Sequence, residues 1–539
     1  MKSLVLQKCF NKTLDPVISF IFNDSRPQTP VCEVGLFSTC LTLLNEMLNE
    51  HQQHIGGDLH VERLYLFCLV WAFGGLLEGN VAKSFSDLLK TLSSALPDYD
   101  HEISVFDYYV DESGEWDTWN ARVPEATYTG TTDILGEVFV DTVDTIRVRS
   151  LLEFAHSARK HTLIIGERGV GKTALVNDFL DTQDKQSSIL QRLVFSHAST
   201  ASQLHSFIQH NIQHRQGFVY GAKDGKHLEA FIDDINLPST DMEGVQRCNE
   251  LLRTLVDDHT ICKLHPPFEW RTVEGLEVLA TLSTSSTNFN IDPRLLRHFA
   301  VLRLRPPSSS ELRHIVFSVM EANLSDRPLN QELHESIATA SSKIIESVKV
   351  VLKACPMPGR HHYAFSLRQL TKMSQCLRRL ADEDRANDDL VVALWRHEIE
   401  RLIGDQICRT SDIVWFDDLM QKTIADVLPQ FADNSAKCFV TFPVETKTHH
   451  RPLASSHHQI RIQLHPINEV KDILDCMKAH LTHYNEEQHH HESISNIMFS
   501  EDILSHIIRM HRVLCYHHGG SMMVIGAVGS PPHPYITPY

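Results

Sequence analysis

The chain has no CxxC pair, and its 12 cysteines are scattered along 539 residues. Grouped cysteines are the usual sign of zinc-finger sites and of disulfide frameworks, so neither is predicted. Buried thiols in a reduced compartment are the expectation.

An excess of positive charge is also missing. The chain contains 50 lysine and arginine residues against 68 acidic residues, for a formal net charge of −18. Neither nucleic acid nor an anionic membrane is therefore predicted as a general partner, although a local basic patch is compatible with this total.

Long apolar runs are absent as well. The run from Leu64 to Leu77 contains Tyr65, Trp71 and two glycines and is too short for a typical bilayer-spanning helix, so we predict core. The first residues lack an apolar segment with a small-residue cleavage site, so no secretory signal is predicted.

Length and periodicity predict several compact regions. Residues 1–97 show helical periodicity, and residues 98–139 form a connection in which β-favouring residues around a Ser-Gly turn predict a hairpin. Residues 140–306 predict an α/β nucleotide-binding domain, residues 307–410 a helical lid, and residues 411–539 a connector with the start of another module.

Strand candidates within the α/β region are separated by helical stretches, which predicts a mostly parallel sheet. The candidates are Leu193–Phe195, Ala230–Ile232, Val278–Thr281 and Val301–Leu304. The clearest helices of the following region are predicted at Glu311–Met320, Ile337–Leu352 and Leu390–Ile403.

What the sequence does contain is a phosphate-binding motif, Gly166-Glu-Arg-Gly169-Val-Gly171-Lys172-Thr173, between an apolar run and an amphipathic stretch. Glycines allow backbone N–H groups to curl around a phosphate at the positive end of the next helix. Lys172 is predicted to reach the β- and γ-phosphates of ATP or GTP, and Thr173 to ligate magnesium.

A pair of acids, Asp233 and Asp234, ends a second apolar strand candidate. In a P-loop enzyme the first would hold magnesium and the second would orient the attacking water. An isolated Asp-Asp pair before Asn and Pro is more often a turn or a helix cap, so the phosphate loop is what favours the catalytic interpretation.

Two arginines, Arg294 and Arg297, precede the last strand candidate. A guanidinium delivered to a γ-phosphate from a neighbouring module stabilises the charge of the transition state. The structural alternative is an arginine that satisfies helix carbonyls or pairs with a surface acid.

The order of these motifs resembles the AAA+ modules of dynein heavy chains, most closely the third module of an axonemal-type ring. The resemblance rests on the segments GERGVGKT, FIDDINLP, IDPRLLRHF and HYAFSLRQL, and on FCLVWAFGG in residues 1–97. It implies an ATP-binding P-loop AAA+ module with magnesium as its metal, preceded by the helical end of the second module and followed by a helical lid.

The resemblance also assigns residues. It gives Lys172 and Thr173 to nucleotide and magnesium, and Arg368 to a lid arginine that contacts phosphate. Ser283 lies where some relatives have an asparagine sensor. Departures weaken the expectation of efficient hydrolysis: Asp234 stands where many AAA+ ATPases have glutamate, and Glu229 interrupts the apolar approach to the acids.

The resemblance continues to Gly519–Ser530, which is similar to the opening of a fourth module's phosphate loop, and then stops. Prolines from Pro531 onward forbid the expected helix, so a fragment, an alternative end or a faulty gene model is expected. By resemblance, the linker, the principal ATPase module and the microtubule-binding stalk lie outside this chain.

The favoured hypothesis is therefore an ATP-binding, regulatory segment of a minus-end-directed microtubule motor. The resemblance implies other dynein modules and intermediate and light chains as partners, and a cytoskeletal location in the cytoplasm, in a ciliary or flagellar axoneme. Two alternatives stay open. A stand-alone oligomeric AAA+ ATPase would show assembly-dependent turnover that Arg297→Ala abolishes, and a non-catalytic scaffold would show no stabilisation by nucleotide.

Histidine pairs and triplets invite a metal hypothesis, but neighbouring histidines point in different directions and no cysteines accompany them at zinc spacing. We therefore predict no metal at these clusters, which are His449-His450, His457-His458, His489-His490-His491 and His517-His518.

Overall fold

A computed structural model of the chain describes most of residues 2–514. The described residues are 2–25, 32–52, 55–97, 104–124, 138–263, 266, 268–284, 291–324, 330–353, 360, 363, 365–380, 387–431, 438–440, 464–467, 470–487, 499–514 and 522. The chain is divided into two compact units. The first comprises Met1–Thr127 and Thr132–Glu311, and the second comprises Leu312–Tyr539 and Tyr128–Thr131.

The first unit opens with helices whose apolar faces meet in one core. They are α1 (Lys2–Ser19), α2 (Glu33–Glu50), α3 (Asp58–Leu69) and α4 (Gly79–Leu92), with π-helical turns at Phe20–Ser25 and Val70–Gly74. Leu64 and Leu77, at the two ends of the apolar run, are buried, as is Trp71 between them. The prediction that this run belongs to the core is confirmed.

A short antiparallel pair follows, where the sequence predicts a hairpin. Strand β1 (Tyr108–Val110) pairs with β2 (Trp116–Thr118), and Gly114 in the connecting turn has φ +84°. Helix α5 (Val143–Ser157) then begins behind Thr142, whose hydroxyl accepts a hydrogen bond from the Thr145 N–H. This N-cap satisfies one of the helix's otherwise unpaired donors.

The strands of the main sheet are β3 (Thr162–Gly166), β4 (Ser188–Val194), β7 (His227–Asp233), β10 (Leu276–Ser283) and β11 (Ala300–Arg303). The sheet is parallel, and its strand order is β11-β3-β10-β7-β4. The flanking helices are α6 (Lys172–Thr182), α7 (Ala201–Asn211), α8 (Arg247–Asp257) and α9 (Pro293–Leu296). The predicted α/β fold with a parallel sheet is confirmed.

Both faces of this sheet are covered, which explains its continuous apolar strands. In β3, Leu163 and Ile165 enter one core, whereas Ile164 between them enters the other, which it shares with the N-terminal helices. Alternate side chains of a strand point to opposite faces, so a strand with three buried aliphatic residues in succession needs a layer on each side.

A second, four-stranded sheet lies in the same unit and was not predicted. It contains β5 (Ile212–Gln216), β6 (Val219–Ala222), β8 (Thr260–Cys262) and β9 (Trp270–Glu274) in the order β5-β6-β9-β8. These strands are short and carry many polar residues, so the sequence contains no apolar run that would predict them.

The N-terminal helices and the α/β region belong to one unit and are joined by polar contacts. The Arg303 guanidinium donates a hydrogen bond to the Leu76 carbonyl at 3.0 Å and pairs with the Glu78 carboxylate. The Lys160 ammonium donates to the Ser38 hydroxyl at 2.7 Å. These contacts attach the N-terminal helical region to the nucleotide-binding sheet.

The second unit is mainly helical, and the boundary between the units falls within α10, after Glu311. Its helices are α10 (Ser309–Asn323), α11 (Gln331–Lys353), α12 (Leu367–Leu377), α13 (Asp388–Leu402), α14 (Thr410–Val427), α15 (Val470–Glu487) and α16 (Glu501–Leu514), and its strands are β12 (Cys438–Val440) and β13 (His465–Ile467). Fully buried Trp395 donates its indole N–H to the Ser341 hydroxyl at 2.8 Å. The predicted helical region after the sheet is confirmed.

Candidate nucleotide-binding site

The phosphate loop lies between β3 and α6, as the sequence predicts. Gly171 is the N-cap of α6 with φ +100°, a left-handed conformation that side-chain-bearing residues rarely adopt, and Gly169 lies in the same turn with φ +77°. At Gly166 the constraint is contact: a Cβ atom there would lie 2.6 Å from the Leu304 carbonyl oxygen. The glycines thus allow a tight turn that aims the first N–H groups of α6 at a common point.

Lys172 is buried at the start of α6, and its ammonium donates hydrogen bonds within the loop. The acceptors are the carbonyl oxygens of Gly166 at 3.0 Å and Glu167 at 2.7 Å. Burial lowers the pKa of Lys172, while the nearby carboxylates of Asp234 and Asp233 act in the opposite direction. The ammonium therefore lies inside the loop, where the sequence predicts that it meets phosphate.

The two predicted magnesium ligands lie in contact. The Thr173 hydroxyl is 3.2 Å and 3.1 Å from the two carboxylate oxygens of Asp233 and donates to them. Asp233 ends β7, two strands away from β3, and β10 runs between them. A hydroxyl and a carboxylate are hard oxygen ligands of the kind that Mg²⁺ prefers, so this donor set fits the predicted metal.

Asp234 follows at the carboxyl edge of the sheet in a left-handed backbone conformation, with φ +54°. Its backbone N–H donates to the Thr281 hydroxyl at 3.0 Å. Burial and the charge of Asp233 raise the pKa of Asp234, and Lys172 partly offsets this effect. The structure thus places Asp234 beside Asp233 at this edge of the sheet, and its role of orienting an attacking water remains a prediction.

Ser283 is at the end of β10, next to the start of the phosphate loop. It is opposite Gly166 in the β10–β3 pair, and the following N–H, of Thr284, donates to the Gly166 carbonyl at 3.0 Å. The Ser283 N–H also lies 3.5 Å from the Asn236 side-chain oxygen. The structure thus places the predicted sensor position at the loop, while its sensing role remains a prediction.

Arg294 and Arg297 pair with acidic residues of α8. A guanidinium nitrogen of Arg294 is 3.0 Å from the Glu250 carboxylate, and one of Arg297 is 2.7 Å from the Asp257 carboxylate. Both acids belong to α8, and both arginine side chains are about half exposed. The structure groups these arginines with surface acids and not with Lys172 and Thr173, and their role as arginine fingers remains a prediction.

The predicted lid arginine, Arg368, lies in the first turn of α12 in the second unit. The Ser366 hydroxyl and the Gln369 side chain form a capping box at the start of this helix. The assignment of Arg368 to phosphate contact also remains a prediction.

Sequence reasoning missed a buried ionic cluster at the opposite, amino-terminal edge of the sheet. Glu229 of β7 and Glu277 of β10 are paired in register, and the side chain of each is only 2% exposed. His156 Nδ1 is 2.8 Å from the Glu277 carboxylate, and Arg159 lies 3.3 Å from Glu277 and 3.6 Å from Glu229. Charged residues inside apolar strands were the signal that could have revealed it.

The nearby His156 and Arg159 explain how the charged residue Glu229 is accommodated inside an apolar strand. Among the described residues, His156, Glu229 and Glu277 form the one group of three with ligand atoms close enough for a metal ion. The Arg159 guanidinium already supplies positive charge to both carboxylates, so we interpret the group as an ion network. The histidine pairs and triplets of the sequence analysis lie outside the described residues.

Together these observations define the class of the protein. A parallel sheet with a phosphate loop after one strand, an acidic pair after a second, and a third strand between them is a P-loop AAA+ module. Among the helices that the structure describes, none combines the length and apolarity needed to span a membrane.

Comparison with known families agrees with this class. Residues 129–307 match the family described as the P-loop containing dynein motor region, and residues 6–121 match the dynein heavy chain AAA lid domain. These two matches together cover more than half of the chain. The chain therefore belongs to the dynein heavy-chain family, in agreement with the resemblance.

Curated relatives extend the match to nearly the whole chain. Dynein axonemal heavy chain 5 of Rattus norvegicus is 26% identical over 98% of this chain, and the match covers 16% of that protein. The dynein gamma chain of the flagellar outer arm of Chlamydomonas reinhardtii is 25% identical over 97% of this chain and 12% of its own length. The chain thus spans about a sixth or less of these relatives.

Proposed function

We propose that the chain binds ATP with magnesium and serves as a regulatory AAA+ segment of a minus-end-directed microtubule motor of the dynein type. The observation that carries the proposal is the contact between the Thr173 hydroxyl and the Asp233 carboxylate, directly beside buried Lys172. Phosphate-binding and metal-binding groups from two separate segments, the start of α6 and the end of β7, converge there, which a chance glycine-rich turn would not produce.

The roles of the residues follow from their positions. Backbone N–H groups from Gly169 to Thr173 would hold the β-phosphate, and Lys172 would exchange its loop carbonyl partners for phosphate oxygens. Bound magnesium would neutralise phosphate charge, with Thr173 and Asp233 as its protein ligands. Asp234 would orient water, and its raised pKa favours acceptance of a proton.

Arg294 and Arg297 are proposed to serve the nucleotide of a neighbouring module, here the second one. Supporting this, α2 approaches the same surface: a Cβ atom on Gly35 would lie 3.3 Å from the Arg297 Cα. By family resemblance α2 belongs to the lid of the second module. The site that contains Lys172 would then need an arginine from the module that follows, so we propose ATP binding with slow hydrolysis by this chain alone.

Location and partners are proposed from the relatives, which are named as axonemal and flagellar dyneins. We infer a place in the cytoskeleton, in a ciliary or flagellar axoneme. The proposed partners are other dynein modules and intermediate and light chains, and microtubule contact is assigned to other parts of the motor. Nucleic acid and membranes are not proposed as partners.

The decisive experiment is titration of the purified chain with magnesium-ATP, alongside thermal unfolding. A ligand present at 100 times its dissociation constant should stabilise the native state by about 2.7 kcal/mol. Lys172→Ala should lose this stabilisation, whereas Lys185→Ala, which changes an exposed lysine elsewhere in the unit, should keep it.

The outcome separates the hypotheses. Absence of binding by folded wild-type chain would reject the nucleotide-binding proposal and leave the non-catalytic scaffold. Turnover that rises with assembly and disappears in Arg297→Ala would instead favour the stand-alone oligomeric ATPase. Binding without assembly-dependent turnover supports the proposal.

A further inference from the structure

Thr281 is a polar residue between the apolar residues Ala280 and Leu282 in the carboxyl half of β10. Its side chain is completely buried, with an exposure of 0%. Strand β10 lies between the phosphate-loop strand β3 and the acidic strand β7, and Thr281 is opposite Ile164 of β3 in the register. Thr281 therefore lies in the strand that separates the phosphate-loop strand from the strand that ends in the acidic pair.

The Thr281 hydroxyl joins the two acids of the site. It donates a hydrogen bond to the Asp233 carboxylate and accepts one from the Asp234 N–H at 3.0 Å. A hydroxyl has one hydrogen to donate and lone pairs to accept, so a single side chain can satisfy both contacts. The Thr281 carbonyl also accepts the Ile235 N–H at 3.0 Å, which ties three consecutive residues to β10.

These contacts hold the left-handed backbone of Asp234 and the orientation of the Asp233 carboxylate. Asp234 has φ +54°, a conformation that costs free energy for a residue with a side chain and persists when its surroundings hold it. The Asp233 carboxylate receives hydrogen bonds from both Thr281 and Thr173, on two different elements. Together the two hydroxyls restrict how that carboxylate can rotate.

We propose that Thr281 is a positioning residue for magnesium-nucleotide: its hydroxyl fixes the Asp233 carboxylate beside Thr173 and holds the turn that places Asp234. This inference rests on the proposed function. Thr281 itself need not touch nucleotide or metal, because it acts through the carboxylate of Asp233 and the backbone of Asp234. Its loss should therefore weaken the contribution of magnesium to nucleotide binding and leave metal-free binding unchanged.

The test is the affinity of the full chain for ADP, measured with magnesium and again with a chelator. Thr281→Val keeps the shape of the side chain but removes its hydroxyl. Thr281→Ala also removes the hydroxyl and cannot introduce a clash. Thr281→Ser retains the hydroxyl. The matched control is Thr162→Val, because Thr162 is also buried in the sheet but its hydroxyl donates to the Lys160 carbonyl and, among the described residues, makes no hydrogen bond to either acid of the site.

We expect the hydroxyl-free variants to lose roughly tenfold or more of the affinity gained from magnesium, since hydrogen bonds to charged groups are the stronger ones. Thr281→Ser and Thr162→Val should keep that gain. A full magnesium-dependent gain in Thr281→Val or Thr281→Ala, or equal losses with and without magnesium, would overturn the inference while wild-type binding still upheld the proposed function. No ADP binding by the wild type would reject both.

Discussion

The buried ionic cluster leads to a prediction about pH, with His156→Gln as the perturbation. Although burial opposes a charged imidazole, the hydrogen bond to Glu277 and the charges of Glu277 and Glu229 raise the pKa of His156 above its ordinary value of 6.5. The charged groups around it are Arg159 of the same α5 end, Glu229 of β7 and Glu277 of β10. Glutamine keeps a hydrogen-bond donor but cannot carry the charge.

The sign and size of the pH-dependent stability change follow from this arrangement. Because the folded pKa is raised, the stabilisation by charged His156 is complete below the ordinary value of 6.5 and is lost as pH rises through the folded pKa. A hydrogen bond to a charged group contributes about 1 to 1.5 kcal/mol more than a neutral one. His156→Gln should therefore lower the melting temperature at low pH by roughly 2 to 6 °C, given about 2 to 4 °C per kcal/mol for large domains.

The assay is calorimetric unfolding of wild type and variant at about pH 6 and about pH 9. The difference between them should be largest at the lower pH and close to zero at the higher pH. His210→Gln, at an exposed position of α7, is the control and should show little difference at either pH. A His156→Gln penalty that is constant across pH, or that grows as pH rises, would refute the argument that a charged imidazole stabilises this cluster.

Two further predictions concern the phosphate loop and the second unit. In Gly171→Ala the new Cβ atom has no neighbour within 4 Å, so the variant should lose only about 1 to 2 kcal/mol of stability from the backbone strain at φ +100°. In Gly166→Ala the Cβ atom clashes with the Leu304 carbonyl oxygen, so this variant should lower the melting temperature more. Equal melting temperatures for these two variants would contradict the geometry. Arg512→Met should destabilise the second unit by about 3 to 5 kcal/mol, because Arg512 is the bidentate partner of fully buried Glu398. Denaturant unfolding followed by limited proteolysis measures this loss, and an unchanged midpoint would show that Glu398 does not depend on the pair.

Much of the architecture was predictable because its signals are local. Apolar runs identified four strands of the main sheet, and the spacing of Gly166, Gly171 and Lys172 identified the loop without knowledge of any distant residue. The second sheet escaped prediction because the apolar positions of its short strands are interrupted by polar residues. The partners of Arg294 and Arg297 also escaped, because α8 lies about forty residues earlier in the chain.

By itself, the sequence determined the class of fold, the phosphate loop, the acidic pair and the family resemblance, since each depends on residue types at short, fixed spacing. The tertiary structure decided which of these groups meet. Only the insertion of β10 between β3 and β7 brings the Thr281 hydroxyl to Asp233 and Asp234. The same insertion pairs Glu229 with Glu277 at the other edge of the sheet. The physical reason is that strand order is set by the packing of the whole sheet, whereas a sequence motif records only its own neighbours.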